Sequence, residues 1–282
     1  MKSMNIKGPV WALLLTLTLT GCVNLKEVGE YAGESAKFSA YTELTTRFRD
    51  TYYREQPYLT GEAQQLAQEN DLKRKAAYED LLTIHKRVTL YMQTLARLSG
   101  EDRFDLSENL DSLADGIKEH PDLGIDKKQV DAIADIGKAI TKWATSARQQ
   151  RAVREMIQEG DAPLQTTLQG MKTLVRYYRA THDNEQKTVL GFFEVELPYV
   201  EDPQHRLLAT LARAHLQSKE AEYRAAQPRY EAAARGGERI AEGHRKLVEN
   251  IDDLTSQAAR DSIKRLARDI KAIRKSIQAI EG

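Results

Sequence analysis

Apolar residues recur at steps of three and four along most of this chain, a spacing that suits helices and little else. Leu81, Ile84, Val88, Tyr91, Leu95 and Leu98 form one stripe, and Ile133, Ile136, Ile140, Trp143 and Ala147 form another. Each stripe is the single buried face of an amphipathic helix. The last segment repeats the pattern through Leu247, Ile251, Leu254 and Ala258, then Ile263, Leu266, Ile270, Ile273, Ile277 and Ile280. Its stripe slips by one residue near Ala258 and Ala259, as a straight helix of 3.6 residues per turn drifts against a strict heptad. The expected fold is all-α: an elongated antiparallel helical bundle with long coiled-coil-like helices rather than one extended supercoil.

Helix-breaking residues divide this pattern into about seven helices. Pro57 with Thr60-Gly61 ends a first helix and opens a second, which runs to Ser99-Gly100. Asp105-Leu106-Ser107-Glu108 and Asp126-Lys127-Lys128-Gln129 have capping-box spacing, with a loop at Pro121 and Gly124 between them. Gly160-Asp161-Ala162-Pro163 reads as a helix stop and start, and Asp202-Pro203 as a first helical turn. Pro228 is expected to kink its helix, and Gly236-Gly237 to form a second weak point. A continuous helix from Gly237 to Ile280 would measure about 65 Å. One stretch departs from the helical period: Phe193 to Val200 alternates apolar residues with acids or proline, which predicts an extended connector plugging one bundle end.

The N-terminus carries an address. Lys2 and Lys7 precede an apolar run from Val10 to Leu19, followed by Leu19-Thr20-Gly21-Cys22. The run suits a signal peptide and is too short for a secure membrane span. Cys22 is the only cysteine. This arrangement resembles the lipobox of bacterial lipoproteins, which implies cleavage between Gly21 and Cys22 and acylation of Cys22. It divides the chain into a signal peptide over 1–21, a lipidated tether over 22–25 and a helical body over 26–282, with a possible subdivision near 200. Val23 stands where an aspartate often signals inner-membrane retention, so the resemblance implies the outer membrane, with the body facing the periplasm.

Forty-two basic and 42 acidic residues balance over the full chain, which argues against nucleic-acid binding. Asp105 to Asp135 holds nine acidic and three basic residues, whereas Arg260 to Lys275 holds seven basic and two acidic. Such patches are usually solvated helix faces. Signatures of serine hydrolases and phosphate-binding loops are missing, and lipidation removes Cys22 from catalysis. Asp202-Pro203-Gln204-His205 is one element of a bundle metal site that needs several. The reading therefore assigns no catalytic residue, metal ligand or cofactor, and takes His85 and His215 as partly buried, hydrogen-bonded residues.

Candidate partner-binding residues are aromatic. Phe192, Phe193 and Tyr199 lie in the alternating stretch, and Tyr52 and Tyr177 belong to the pairs Tyr52-Tyr53 and Tyr177-Tyr178, flanked by arginines. Tyrosine and arginine are enriched at interface hot spots. Three functions compete: a non-enzymatic scaffold for an unidentified envelope protein, an immunity-type lipoprotein blocking a periplasm-acting toxin, and an enzyme whose site is assembled from scattered residues.

Overall fold

A computed structural model describes residues 25–101, 104, 113, 116–146, 150–200 and 203–279. The lipobox with Cys22, the capping box at Asp105 to Glu108, Ala147, Asp202 and Ile280 lie outside these. The described residues hold eight α-helices and no strand: α1 (Lys26–Ala36), α2 (Ala40–Arg49), α3 (Thr51–Glu55), α4 (Gly61–Leu98), α5 (Lys127–Ala144), α6 (Gln150–Glu196), α7 (Arg206–Glu249) and α8 (Gln257–Gln278). No described helix is long and apolar enough to cross a membrane.

An antiparallel hairpin of α6 and α7 forms the spine. Its register is fixed by cross-links that all run in the same sense. Asp161 meets His244, Lys172 meets Glu238, Asp183 meets Gln227 and Glu185 meets Tyr223. α4 lies along this spine and α5 covers α6, with the Trp143 indole N–H donating to Glu159 at 3.2 Å. The expected capping box opens α5: Asp126 accepts from the amides of Lys128 and Gln129, and the Gln129 carboxamide accepts from the Asp126 amide. The stripes are buried as their period predicts, with Leu81, Tyr91, Leu95, Ile136, Ile140, Ile263 and Ile270 all below 2 % exposed.

Three expectations about breaks are corrected here. α6 runs unbroken through Gly160 and Pro163, where a stop and start were expected; α7 is helical on both sides of Pro228. Proline removes one helical hydrogen bond, but buried residues on both sides (Ile157 and Leu164; Ala226 and Tyr230) hold each helix against its neighbours. The connector from Phe193 is helix to Glu196 and then a 3₁₀ turn over Leu197–Val200. Val189 and Phe193, four apart, share one face against Tyr223, so the helical period wins over the local alternation. The last helix is not continuous: a turn after Glu249 sends α8 back along α7, with Ser256 capping it by accepting from the Ala259 amide. Ala258 faces outward and Ala259 inward, which is where the stripe slips.

Gly236 and Gly237 are packing notches rather than weak points. A Cβ at Gly236 would lie 2.0 Å from the Phe38 ring, one at Gly237 2.0 Å from the Tyr41 hydroxyl, and one at Gly243 2.2 Å from the Tyr31 ring. Gly160 in α6 admits Tyr91 in the same way, at 2.2 Å. The Tyr31 hydroxyl donates to the Ile240 carbonyl across its notch at 2.5 Å. Three aromatic rings, from α1, from α2 and from the link between them, thus seat against the backbone of α7, and they fix how the N-terminal segment runs along it.

Gly236→Ala tests this. In an exposed helix the change would stabilise by about 1 kcal/mol. Here it is expected to destabilise by about 1–3 kcal/mol through overpacking against Phe38, read as a lower urea midpoint. An unchanged or raised midpoint would contradict the notch.

Candidate functional site

Two buried polar clusters stitch the helices together. In the first, Asp161 meets His244 Nδ1 at 2.9 Å, and His244 Nε2 meets the Tyr91 hydroxyl at 2.8 Å. An acid–histidine–hydroxyl chain is the geometry of nucleophile activation. Tyr91 and His244 are fully buried, however, and burial pushes the Tyr91 pKa well above its ordinary value. Its hydroxyl also lies 3.1 Å from the Met156 carbonyl and is seated at Gly160. The chain therefore locks α4, α6 and α7 together and presents no reacting atom to a ligand.

In the second cluster, the Glu185 side chain is fully buried and receives a bidentate pair from Arg54 at 2.7 and 2.8 Å. The Tyr223 hydroxyl donates to it at 3.1 Å, and Arg47 stands 3.8 Å away, itself bonded to Glu222. Burial opposes the charge on Arg54, but its bonds to Glu185 outweigh this and raise its pKa. His182 lies between Tyr223 and Tyr230, with ring centroids at 5.3 and 5.0 Å. Burial and the charge of Arg47 lower its pKa. Close above, His85 is buried against Tyr41 and bonded to Thr45 at 3.0 Å, as expected for a core histidine.

The five candidate aromatic residues divide between different surroundings. Phe193 is buried beneath the α6–α7 tip, and Phe192 and Tyr199 lie on that tip, Tyr199 78 % exposed. The Tyr58 ring packs on Phe192 and Phe193, and its hydroxyl meets His215 at 2.6 Å. His215 itself is exposed, contrary to expectation, although it lies beside Tyr58 and Phe193. Tyr177 stands on the wall of a separate cleft and half-buried Tyr52 accepts from the Gln68 carboxamide. Tyr178, its neighbour in sequence, is in the core.

Sequence reasoning missed the rest of the tip. Val195, Leu207, Leu208 and Leu211 are each more than half exposed. Leu207, Leu208 and Leu211 share one face of α7 by their spacing, an apolar stripe just after a proline that could have been read. With Phe192 and Tyr199 they form a contiguous apolar end on the hairpin. The cleft, about 870 Å³, lies between the first half of α4 and the middle of α6, with Phe48, Thr51, Glu55 and Arg74 at its base. Burial raises the pKa of Glu55. Comparison with protein-family models, curated protein sequences and solved structures returns no match.

The buried His85 gives the fold a pH dependence. Burial pushes its pKa down from 6.5 to about 3, so the unfolded chain takes up a proton that the folded chain refuses. That contribution is intact above pH 6.5 and lost as pH falls from there toward 3. Between pH 6.5 and 4.5, His85→Gln is expected to lose about 2 kcal/mol less stability than the parent chain, measured by urea unfolding at both values. Equal losses would contradict the assignment.

Proposed function

We propose that this chain is a lipid-anchored, non-enzymatic binding protein of a Gram-negative outer membrane, carrying an apolar hairpin tip far from its anchored end. The observation that carries the reading is the opposition of those two ends. Successive aromatic and charged contacts run down α7 as the N-terminal segment advances: Tyr31 at Ile240, Phe38 at Gly236, Arg47 at Glu222 and Tyr58 at His215. The segment is antiparallel to α7, so Lys26 lies at the end of the bundle remote from Arg206. At 1.5 Å per residue, the separation is roughly 60 Å. An acyl group on Cys22, four residues before Lys26, would hold the remote end at the membrane and leave the tip standing off it.

At that distance the apolar tip cannot dip into the anchoring membrane while the bundle stands upright. Contiguous exposed apolar surface on a soluble body marks a contact site, and here it faces away from the lipid. The partner is inferred to be an envelope protein.

A photo-activatable phenylalanine analogue at Tyr199 or Leu207, in the acylated protein in cells, is expected to trap one discrete envelope protein. The same analogue at exposed Glu231, midway along α7, is expected to trap none. Leu207→Ser with Leu211→Ser should abolish trapping and change stability by no more than about 0.5 kcal/mol. Adducts with lipid alone, or equal trapping at Glu231, would contradict the reading.

A further inference from the structure

The cleft between α4 and α6 has a feature that packing alone does not account for. Arg74 lies at its base and is 8 % exposed, yet its Nε and Nη2 have no hydrogen-bond partner among the described residues. The nearest carboxylate oxygen, on Glu55, is 4.0 Å away, beyond hydrogen-bond distance. Neighbouring acids are engaged elsewhere: Glu185 holds Arg54 bidentate, and Asp71 holds Lys75 at 2.6 Å. Arg74 thus has the Glu55 carboxylate as a loose ion-pair neighbour and stacks 5.8 Å over the Phe48 ring, while its buried Nε and Nη2 donors stay unmet, a costly arrangement unless an acceptor from outside completes it.

The walls say what kind of anion fits. Tyr177, Thr181, Asn184 and Thr188 line one side at helical spacing, and Ala63, Ala67, Asn70 and Arg74 line the other. Both rows span twelve residues, eleven steps or roughly 17 Å, which matches about five residues of extended chain. The Asn and Thr groups can both donate to and accept from main-chain amides, while the alanines leave room for small or apolar side chains. The turn at Pro121–Leu123, which requires Gly124 at φ +75°, closes the channel at the Arg74 end. Glu119 and Asp122 on that rim are exposed. Their charges disfavour a polyanion but are screened by solvent, and at the base the Arg74 donors face the cleft beside the Glu55 carboxylate.

We propose that this cleft binds a short extended peptide by its C terminus, the terminal carboxylate pairing with Arg74 and the peptide amides bonding to Asn70, Thr181 and Asn184. The site is separate from the hairpin tip and does not depend on the partner proposed there.

The test titrates the purified chain with acetyl-Ala-Ala-Ala-Leu bearing a free carboxylate, with its C-terminal amide, with sodium octanoate and with inorganic phosphate, followed by amide nitrogen–proton NMR. The free acid is expected to shift the resonances of Thr181 and Asn184, and to bind at least about tenfold more tightly than the amide. Arg74→Met should lose that affinity while melting no lower than the parent, since it removes buried donors that have no partner and keeps the apolar stem. Asn184→Ala, on the exposed wall, should weaken binding at unchanged melting temperature and serves if Arg74→Met misfolds. The proposal is overturned by equal affinity for acid and amide, or by no binding of the acid at 10-fold millimolar excess. Binding of octanoate or phosphate in place of the peptide, or lowered melting of Arg74→Met with unchanged peptide affinity, would overturn it too.

Discussion

The close approach of aromatic rings to the backbone of α7 is the constraint on which the rest of this structure depends. Gly236, Gly237 and Gly243 leave hollows in which Phe38, Tyr41 and Tyr31 sit, and no larger residue fits there without displacing a ring. Glycine in a helix costs about 1 kcal/mol relative to alanine. That cost is offset by burial of three large side chains, each bringing far more apolar area out of water than a methyl group would. Because the rings enter in chain order, they also set the direction of the N-terminal segment. It enters at one end of the spine and leaves at the other, where Tyr58 meets Phe192 and Phe193.

With that direction fixed, the polar core follows. Arg47 and Arg54 arrive beside α6 and α7 at the level where Glu185 and Glu222 are presented, and the bidentate pair with Glu185 closes the middle of the molecule. Thr45, bonded to His85 and close to the Tyr178 hydroxyl, ties α2 to both α4 and α6. A buried carboxylate is tolerable only when each of its oxygens is met. Glu185 satisfies that rule, whereas the buried Nε and Nη2 donors of Arg74 are left unmet at the base of the cleft. The Tyr91–His244–Asp161 chain shows the same distinction from the other side: its geometry resembles catalytic chemistry, and its burial assigns it to packing.

The helices were legible because the apolar stripe is a long-range average that single residues cannot disturb. Ile136 and Ile140, or Ile263 and Ile270, are buried where the period puts them. Local punctuation was less reliable. Pro163 read as a break because a proline's cost is visible in the sequence, whereas the burial that outweighs it comes from distant residues. The alternation from Phe193 to Val200 misled for the same reason: the contact of Val189 and Phe193 with Tyr223 is not a local property. Phe192 and Tyr199 were recognisable as aromatic candidates, although their segment was read as a plug rather than an exposed tip. The leucines at 207, 208 and 211 and the cleft were not, since exposure and concavity arise only when helices of unequal length are packed side by side.

The account's central claim is the polarity of the molecule, with the end that follows Cys22 and the apolar tip at opposite extremes. Cysteines introduced for Lys26 and Tyr199, with Cys22 replaced by Ser so that it offers no thiol, can carry spin labels. A dipolar distance measurement between them tests the claim directly. The contacts between the N-terminal segment and α7 predict a narrow distribution centred at roughly 60 Å. A distance of about 35 Å or less, equivalent to an N-terminal segment folded back toward the tip, would contradict it.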